Sequence, residues 1–208
     1  MTEKLSTGIE VLDRKLDGGV PAGTVTVLSA PPVSQSELFL YELASVRETL
    51  YLTTERPASA VEAVLESTGA PIDRVRVVHV AGDDPLEQAS EAVADLPERT
   101  NVIVDPTRRL ERGSEGEYRA FLSALAESVA AANATAVLHC LDGRGVSPRR
   151  DVTEYLADLV FELATEQAGE SIENQLAVPK FRGGTALEEV IKLNLASGVT
   201  IDVSRKIA

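Results

Sequence analysis

The segment Ala30-Pro31-Pro32-Val33-Ser34-Gln35-Ser36-Glu37 joins an apolar strand-like run, Thr24–Ser29, to a helical run that begins near Gln35. A phosphate-binding loop of the pattern G-x-x-x-x-G-K-[ST] has the same strand–loop–helix placement. Aligned on Ala30, the two glycine positions carry Ala30 and Gln35, the lysine position carries Ser36 and the metal-binding hydroxyl position carries Glu37. Each replacement removes a separate contribution. Glycines let backbone N–H groups curl around phosphate oxygens, which a Cβ would obstruct. The lysine charge meets the β- and γ-phosphates, and the hydroxyl holds magnesium. A helix N-terminus still favours an anion by about 0.3–1 kcal/mol, but the Glu37 carboxylate can take that place itself. The loop is expected not to bind and hydrolyse ATP in the usual way, so no nucleotide, metal or other cofactor is assigned to it.

Other reactive side chains are few. The single cysteine, Cys140, excludes an intramolecular disulfide and a cysteine zinc cluster. It lies in the apolar run 134–141 and reads as a buried thiol. His79 and His139 sit in apolar strand runs without metal-ligand spacing, so they read as core or strand-end histidines. Arg108, Arg109 and Arg112, with Arg149 and Arg150, could form a basic patch. Glu111, Glu115 and Glu117 dilute it and no aromatic residues interleave for base stacking, so these arginines read as solvated loop residues or subunit contacts.

The elements that must hold these residues alternate. Strands are expected at Thr24–Ser29, Leu50–Thr54, Arg74–Val80, Thr100–Val104 and Thr135–Leu141, with helical faces at Val61, Val64, Leu65 and at Tyr118, Phe121, Leu122, Leu125, Val129. Strands separated by crossover helices imply a mostly parallel sheet covered on both faces. After Asp142 a loop, a short helix and the run Ala157–Ala164 lead to strands at Gln175–Phe181 and Val190–Ala196, then a hairpin from Gly198 into Val199–Val203. Without crossovers, these are expected as antiparallel additions at one sheet edge. The organisation reads as one domain over 1–208: an opening segment 1–23, an α/β core 24–141 and C-terminal strands 142–208.

The net charge of −13 and the scarcity of lysine beside arginine resemble proteins of salt-loving archaea. A carboxylate coat suits a medium in which the Debye length falls to about 3 Å at 1 M salt. It argues against non-specific nucleic-acid binding, which depends on lysine and arginine displacing counterions. No run reaches the roughly 18 apolar residues of a membrane span, and the N-terminus lacks a secretion-signal pattern, so a cytoplasmic location is expected.

Residues Thr7, Gly8, Leu12, Asp13, Leu16, Gly18, Gly19, Pro21 and Gly23 follow the pattern T-G-x-x-x-L-D-x-x-L-x-G-G-x-P-x-G, and Pro31-Pro32 continue it as a G-P-P loop start would. This opening resembles the KaiC/RadA branch of the RecA-type ATPases, and the resemblance runs along almost the whole chain. It implies a RecA-like α/β fold with a mostly parallel twisted sheet, helices on both faces and an antiparallel C-terminal extension. It also implies that Glu55 stands first in a catalytic carboxylate pair whose second member is replaced by Arg56, and that Asp105 ends a Walker B strand at the magnesium-orienting position. In Val178-Pro-Lys-Phe-Arg-Gly183, Lys180 and Arg182 match an element that reaches a neighbouring subunit's phosphates, and they alternate around Phe181 on one strand face. With the loop altered, Glu55 and Asp105 read as vestigial. Lys180 and Arg182 become candidates for a cationic finger supplied in trans, or for pairing with surface carboxylates.

The function expected is therefore that of a catalytically inactive KaiC-like protein acting as a regulatory or assembly partner through protein–protein contacts, with an active paralogue or a second copy as the partner. The alternatives are a signalling or recombination ATPase that uses ATP and magnesium through an atypical loop, and a DNA-repair accessory.

Overall fold

The computed structural model describes residues 3–202 of the 208-residue chain. Two short strands, β1 (Lys4–Leu5) and β2 (Val20–Pro21), pair antiparallel around helix α1 (Glu10–Lys15). The glycine-rich opening has physical reasons. Gly8 (φ +83°) and Gly19 (φ +119°) occupy left-handed conformations, and a Cβ on either would strike the carbonyl of Glu42 or Leu5. Asp13 accepts from the backbone N–H and hydroxyl of Thr7 and from the hydroxyl of Ser6, which ties the turn down.

The chain then builds β3 (Thr24–Ala30), α2 (Glu37–Val46), β4 (Thr49–Thr53), α3 (Ala58–Ser67), β5 (Val75–His79), α4 (Pro85–Val93), β6 (Asn101–Asp105), α5 (Glu115–Ala131), β7 (Thr135–Leu141), α6 (Arg150–Leu156), β8 (Leu159–Ala168), β9 (Ser171–Phe181), β10 (Ile191–Asn194) and β11 (Thr200–Ile201). The described residues form a nine-stranded sheet in the order β11-β10-β9-β8-β3-β7-β6-β4-β5. From β8 to β5 neighbouring strands are parallel, and β8 to β11 are antiparallel. The expected strands agree within one residue at each end from β3 to β7, and the C-terminal strands add at one edge as their spacing predicts. The run at Ala157–Ala164, left unassigned by its sequence, becomes β8, the seam between the parallel and antiparallel halves. Of the predicted closing hairpin, β11 pairs with β10, and Val203 lies outside the described residues. Asp84 and Pro85, residue types common in turns, start α4: Asp84 accepts from the Glu87 N–H, and Pro85 fills the first turn.

Side-chain alternation splits the core in two. Leu28, Tyr51, Ile103 and Phe161 face α2 and α3, whereas Val27, Leu52, Val104, Leu138 and Cys140 face α4 and α5. Among the described residues no helix is long and apolar enough to cross a membrane.

Candidate functional site

The period of two along neighbouring parallel strands decides what meets at the end of the sheet. Tyr51 on β4, Asp105 two residues beyond Ile103 on β6, and His139 two residues beyond Val137 on β7 all project on the α2 side. Outside the carboxyl ends of such strands is where open α/β sheets place their ligand sites.

The first four positions of the turn between β3 and α2 offer few backbone donors. Pro31 and Pro32 have no N–H, and the Ser34 N–H and hydroxyl both donate to the Pro31 carbonyl, at 3.0 and 2.7 Å. Three of the four positions from Pro31 to Ser34 therefore have no free backbone donor. Val33 is exposed, Gln35 is exposed and Glu37 is half-buried in the first turn of α2. Ser36, at the lysine position, is only 2% exposed, and its hydroxyl does not cap its own helix. It lies 2.9 Å from Nε2 of His139.

His139 in turn reaches Asp105, with Nδ1 2.6 Å from Oδ1. The other carboxylate oxygen, Oδ2, accepts from the Tyr51 hydroxyl at 2.6 Å and from Arg56 Nη2 at 2.7 Å. Arg56 Nη1 donates to the Tyr41 hydroxyl at 3.2 Å. Burial would raise the pKa of Asp105, but the hydrogen bonds from His139 and Tyr51 and the Arg56 guanidinium outweigh it and hold it at about 2. Burial first, then the adjoining Asp105, pushes the Tyr51 phenol well up, so it stays a donor. An ionised carboxylate only accepts, so Nδ1 of His139 carries a proton; in the neutral imidazole, Nε2 then accepts from Ser36. Ser36, His139 and Asp105 thus align as a serine nucleophile, base and orienting acid would. His139 is fully buried and Ser36 nearly so, which withholds that relay from substrate and makes it an internal brace.

The remaining sequence candidates lie elsewhere. Glu55 is exposed just beyond β4, while Arg56 beside it turns inward to Asp105. Lys180 Nζ donates to the carbonyls of Glu154 and Tyr155, and Arg182 Nη2 donates to that of Tyr155. Both cations thus cap the C-terminal end of α6, where carbonyl oxygens gather, and no hydrogen bond of the described residues joins them to the Asp105 network. His79 ends edge strand β5 in solvent.

Of the arginines read as solvated, Arg108 and Arg112 are exposed, and Arg150 needs a correction. Arg150 is 5% exposed and forks onto the fully buried Glu111, through Nε to Oε1 at 2.9 Å and Nη2 to Oε2 at 3.2 Å. Thr153 donates to the same carboxylate, and Arg149 and Ser147 donate to the Glu111 carbonyl. Cys140 is buried 3.3 Å from the Thr107 hydroxyl, and burial pushes its thiol up to about 12. Among the described residues no group of His, Cys, Asp and Glu is placed to hold a metal ion. Sequence reasoning missed the joining of Ser36, Tyr51, Arg56 and His139 to Asp105. The shared parity of Tyr51, Asp105 and His139 on their strands was the available signal.

The chain belongs to the family of unknown function DUF7125, whose profile matches residues 4–208. It is 29% identical over 187 residues to the DNA repair protein RadA of Mycolicibacterium smegmatis, covering 81% of this chain and 39% of that protein. It is 26% identical over 183 residues to the DNA repair protein RadA of Mycobacterium tuberculosis, covering 81% and 37%. The chain thus spans about two fifths of the length of these curated relatives. Its fold matches the crystal structure of the KaiC-like protein PH0186 from Pyrococcus horikoshii with a TM-score of 0.77 at 16% identity, over 97% of this chain and all of that one. These likenesses agree with a KaiC/RadA-like, RecA-type fold.

Proposed function

We propose that this KaiC/RadA-like member of DUF7125 does not turn over ATP and works as a regulatory or assembly partner through contacts with another protein. One observation carries the reading: both carboxylate oxygens of Asp105 are already bonded within the chain, by His139 on one side and by Tyr51 and Arg56 on the other. In the resembling ATPases that position orients magnesium. Here the positive charge beside it comes from a guanidinium, and the Ser36 hydroxyl closes on His139 where a lysine would reach phosphate. The network satisfies in the resting chain what metal and nucleotide would satisfy in an ATPase, so bound nucleotide would have to break buried, charge-assisted bonds. The degenerate loop is read as a consequence of that replacement, and the acid-rich surface as suited to a salt-loving cell.

Lys180 and Arg182 fit this reading in a limited way. Acting as a finger in trans would require them to leave the carbonyls of α6. Contact with an active paralogue or a second copy is open to other surfaces too. The test is steady-state phosphate release at low and molar salt. Turnover indistinguishable from buffer is expected. Turnover that disappears in Glu55→Gln would overturn the reading and restore an atypical ATPase.

A further inference from the structure

We propose that the cleft between the Pro31–Ser34 turn and the loop following β7 binds a short acidic segment of a partner protein. One apolar side chain of that segment rests on the prolines, and its flanking carboxylates engage Arg108 and Arg144. The inference deepens the partner reading above by naming the surface and the chemistry it recognises.

The cleft has a volume of about 760 Å³. Its apolar side is formed by Pro31, Pro32 and Leu141. At its lip Val33 is 90% exposed, more than any other large hydrophobic side chain among the described residues. The wall opposite is held by close contact. A Cβ on Gly143 would come within 2.9 Å of Pro32 Cγ, and Arg108 Nη2 lies 3.2 Å from where a Cβ on Gly145 would stand. A side chain at position 143 would displace Pro32, and one at position 145 would crowd the Arg108 guanidinium.

Charge is distributed against the trend of the molecule. The chain has 33 acidic and 20 basic residues, so an arginine should readily find a carboxylate. Glu111 is fully engaged by Arg150. Among the described residues Arg108 and Arg144, which line the cleft, form no ion pair. Asp142 is the one carboxylate lining the cleft. Arginine forks match carboxylates bidentately, and an exposed apolar patch rimmed by charge is the form of a protein-binding site. A single-stranded nucleic acid would call for aromatic platforms, and the lining has none. A free phosphate would leave the proline floor unused.

The test is titration of the 15N-labelled full chain with the capped pentapeptide acetyl-Asp-Glu-Leu-Glu-Asp-amide, followed by amide chemical shifts. The expected shifts cluster at Val33, Gly143 and Gly145. Arg108→Glu and Arg144→Glu, both at exposed positions, should each weaken binding about tenfold, the size of one lost charged contact. Replacing the peptide leucine by serine should weaken it as well. Absence of shifts at millimolar peptide, shifts unaffected by either charge reversal, or displacement of the peptide by an oligothymidylate would each overturn the proposal. A chain that binds the peptide and also hydrolyses ATP would keep this inference and lose the inactive reading. A chain silent to both would do the reverse.

Discussion

Replacing Arg56 by methionine removes the one guanidinium that, among the described residues, bonds to Asp105, while keeping most of the side-chain volume. The Nη2–Oδ2 contact is 2.7 Å; the Arg56 side chain is 34% exposed and that of Asp105 5%. Breaking a fully buried ion pair costs about 3–5 kcal/mol. With a third of the arginine in water, and with His139 and Tyr51 still bonded to Asp105, about 2 kcal/mol is expected, within the range for hydrogen bonds to charged groups. The pH dependence has a definite sign. Asp105 falls from 3.8 to about 2 in the folded chain, so its contribution is complete above about pH 4 and is lost as pH falls toward 2. That net shift, the partners' effect less that of burial, corresponds to roughly 2 kcal/mol. Arg56→Met raises the Asp105 carboxyl back toward its ordinary range. The stability gap between wild type and variant is therefore full at pH 7 and narrows as pH falls below 4. Urea unfolding at pH 7 and pH 3, completed as a double-mutant cycle with Asp105→Asn, measures both effects. A coupling energy below about 0.5 kcal/mol, or a gap that does not change with pH, would refute the claim that Arg56 neutralises Asp105.

Glu111→Gln leaves Arg150 buried and uncompensated, and should destabilise by about 3–5 kcal/mol in urea titrations. The paired Glu111→Leu, Arg150→Met change should recover most of that loss. Native Cys140, buried with its thiol held up to about 12, should not react with a disulfide reagent at pH 8 until urea unfolds the chain; rapid native labelling would contradict its burial. Lys180→Ala and Arg182→Ala together should lower the stability of α6 by less than about 1 kcal/mol, as expected for one half-buried and one exposed cation at a helix C-terminus, read as a small drop in melting temperature.

The parallel core was legible because each central strand is an apolar run bounded by turn residues, and α5 has its apolar face at Tyr118, Phe121, Leu125 and Val129. The antiparallel edge followed from the lack of crossover helices after β8. Helix α4 was obscured because its start, Asp84-Pro85, has the same residue types as a turn, and α1 because six residues are too few to show a period. In the site, the residue identities at Ser36, Glu37 and Arg56 set the expectation of an altered phosphate loop. The network around Asp105 was not legible: the bonds from Tyr51, Arg56 and His139 to Asp105 span 54, 49 and 34 residues. Only the register of β4, β6 and β7 brings them together. Glu111 and Arg150, 39 residues apart, were hidden the same way; in sequence each sits among charges that face water.

Whether the chain's own side chains occupy the place of metal and nucleotide is tested most directly by titration calorimetry with Mg-ATP, at low salt and at molar potassium chloride. No heat of binding beyond dilution is predicted at nucleotide concentrations up to a millimolar, and saturable binding in the micromolar range would contradict it.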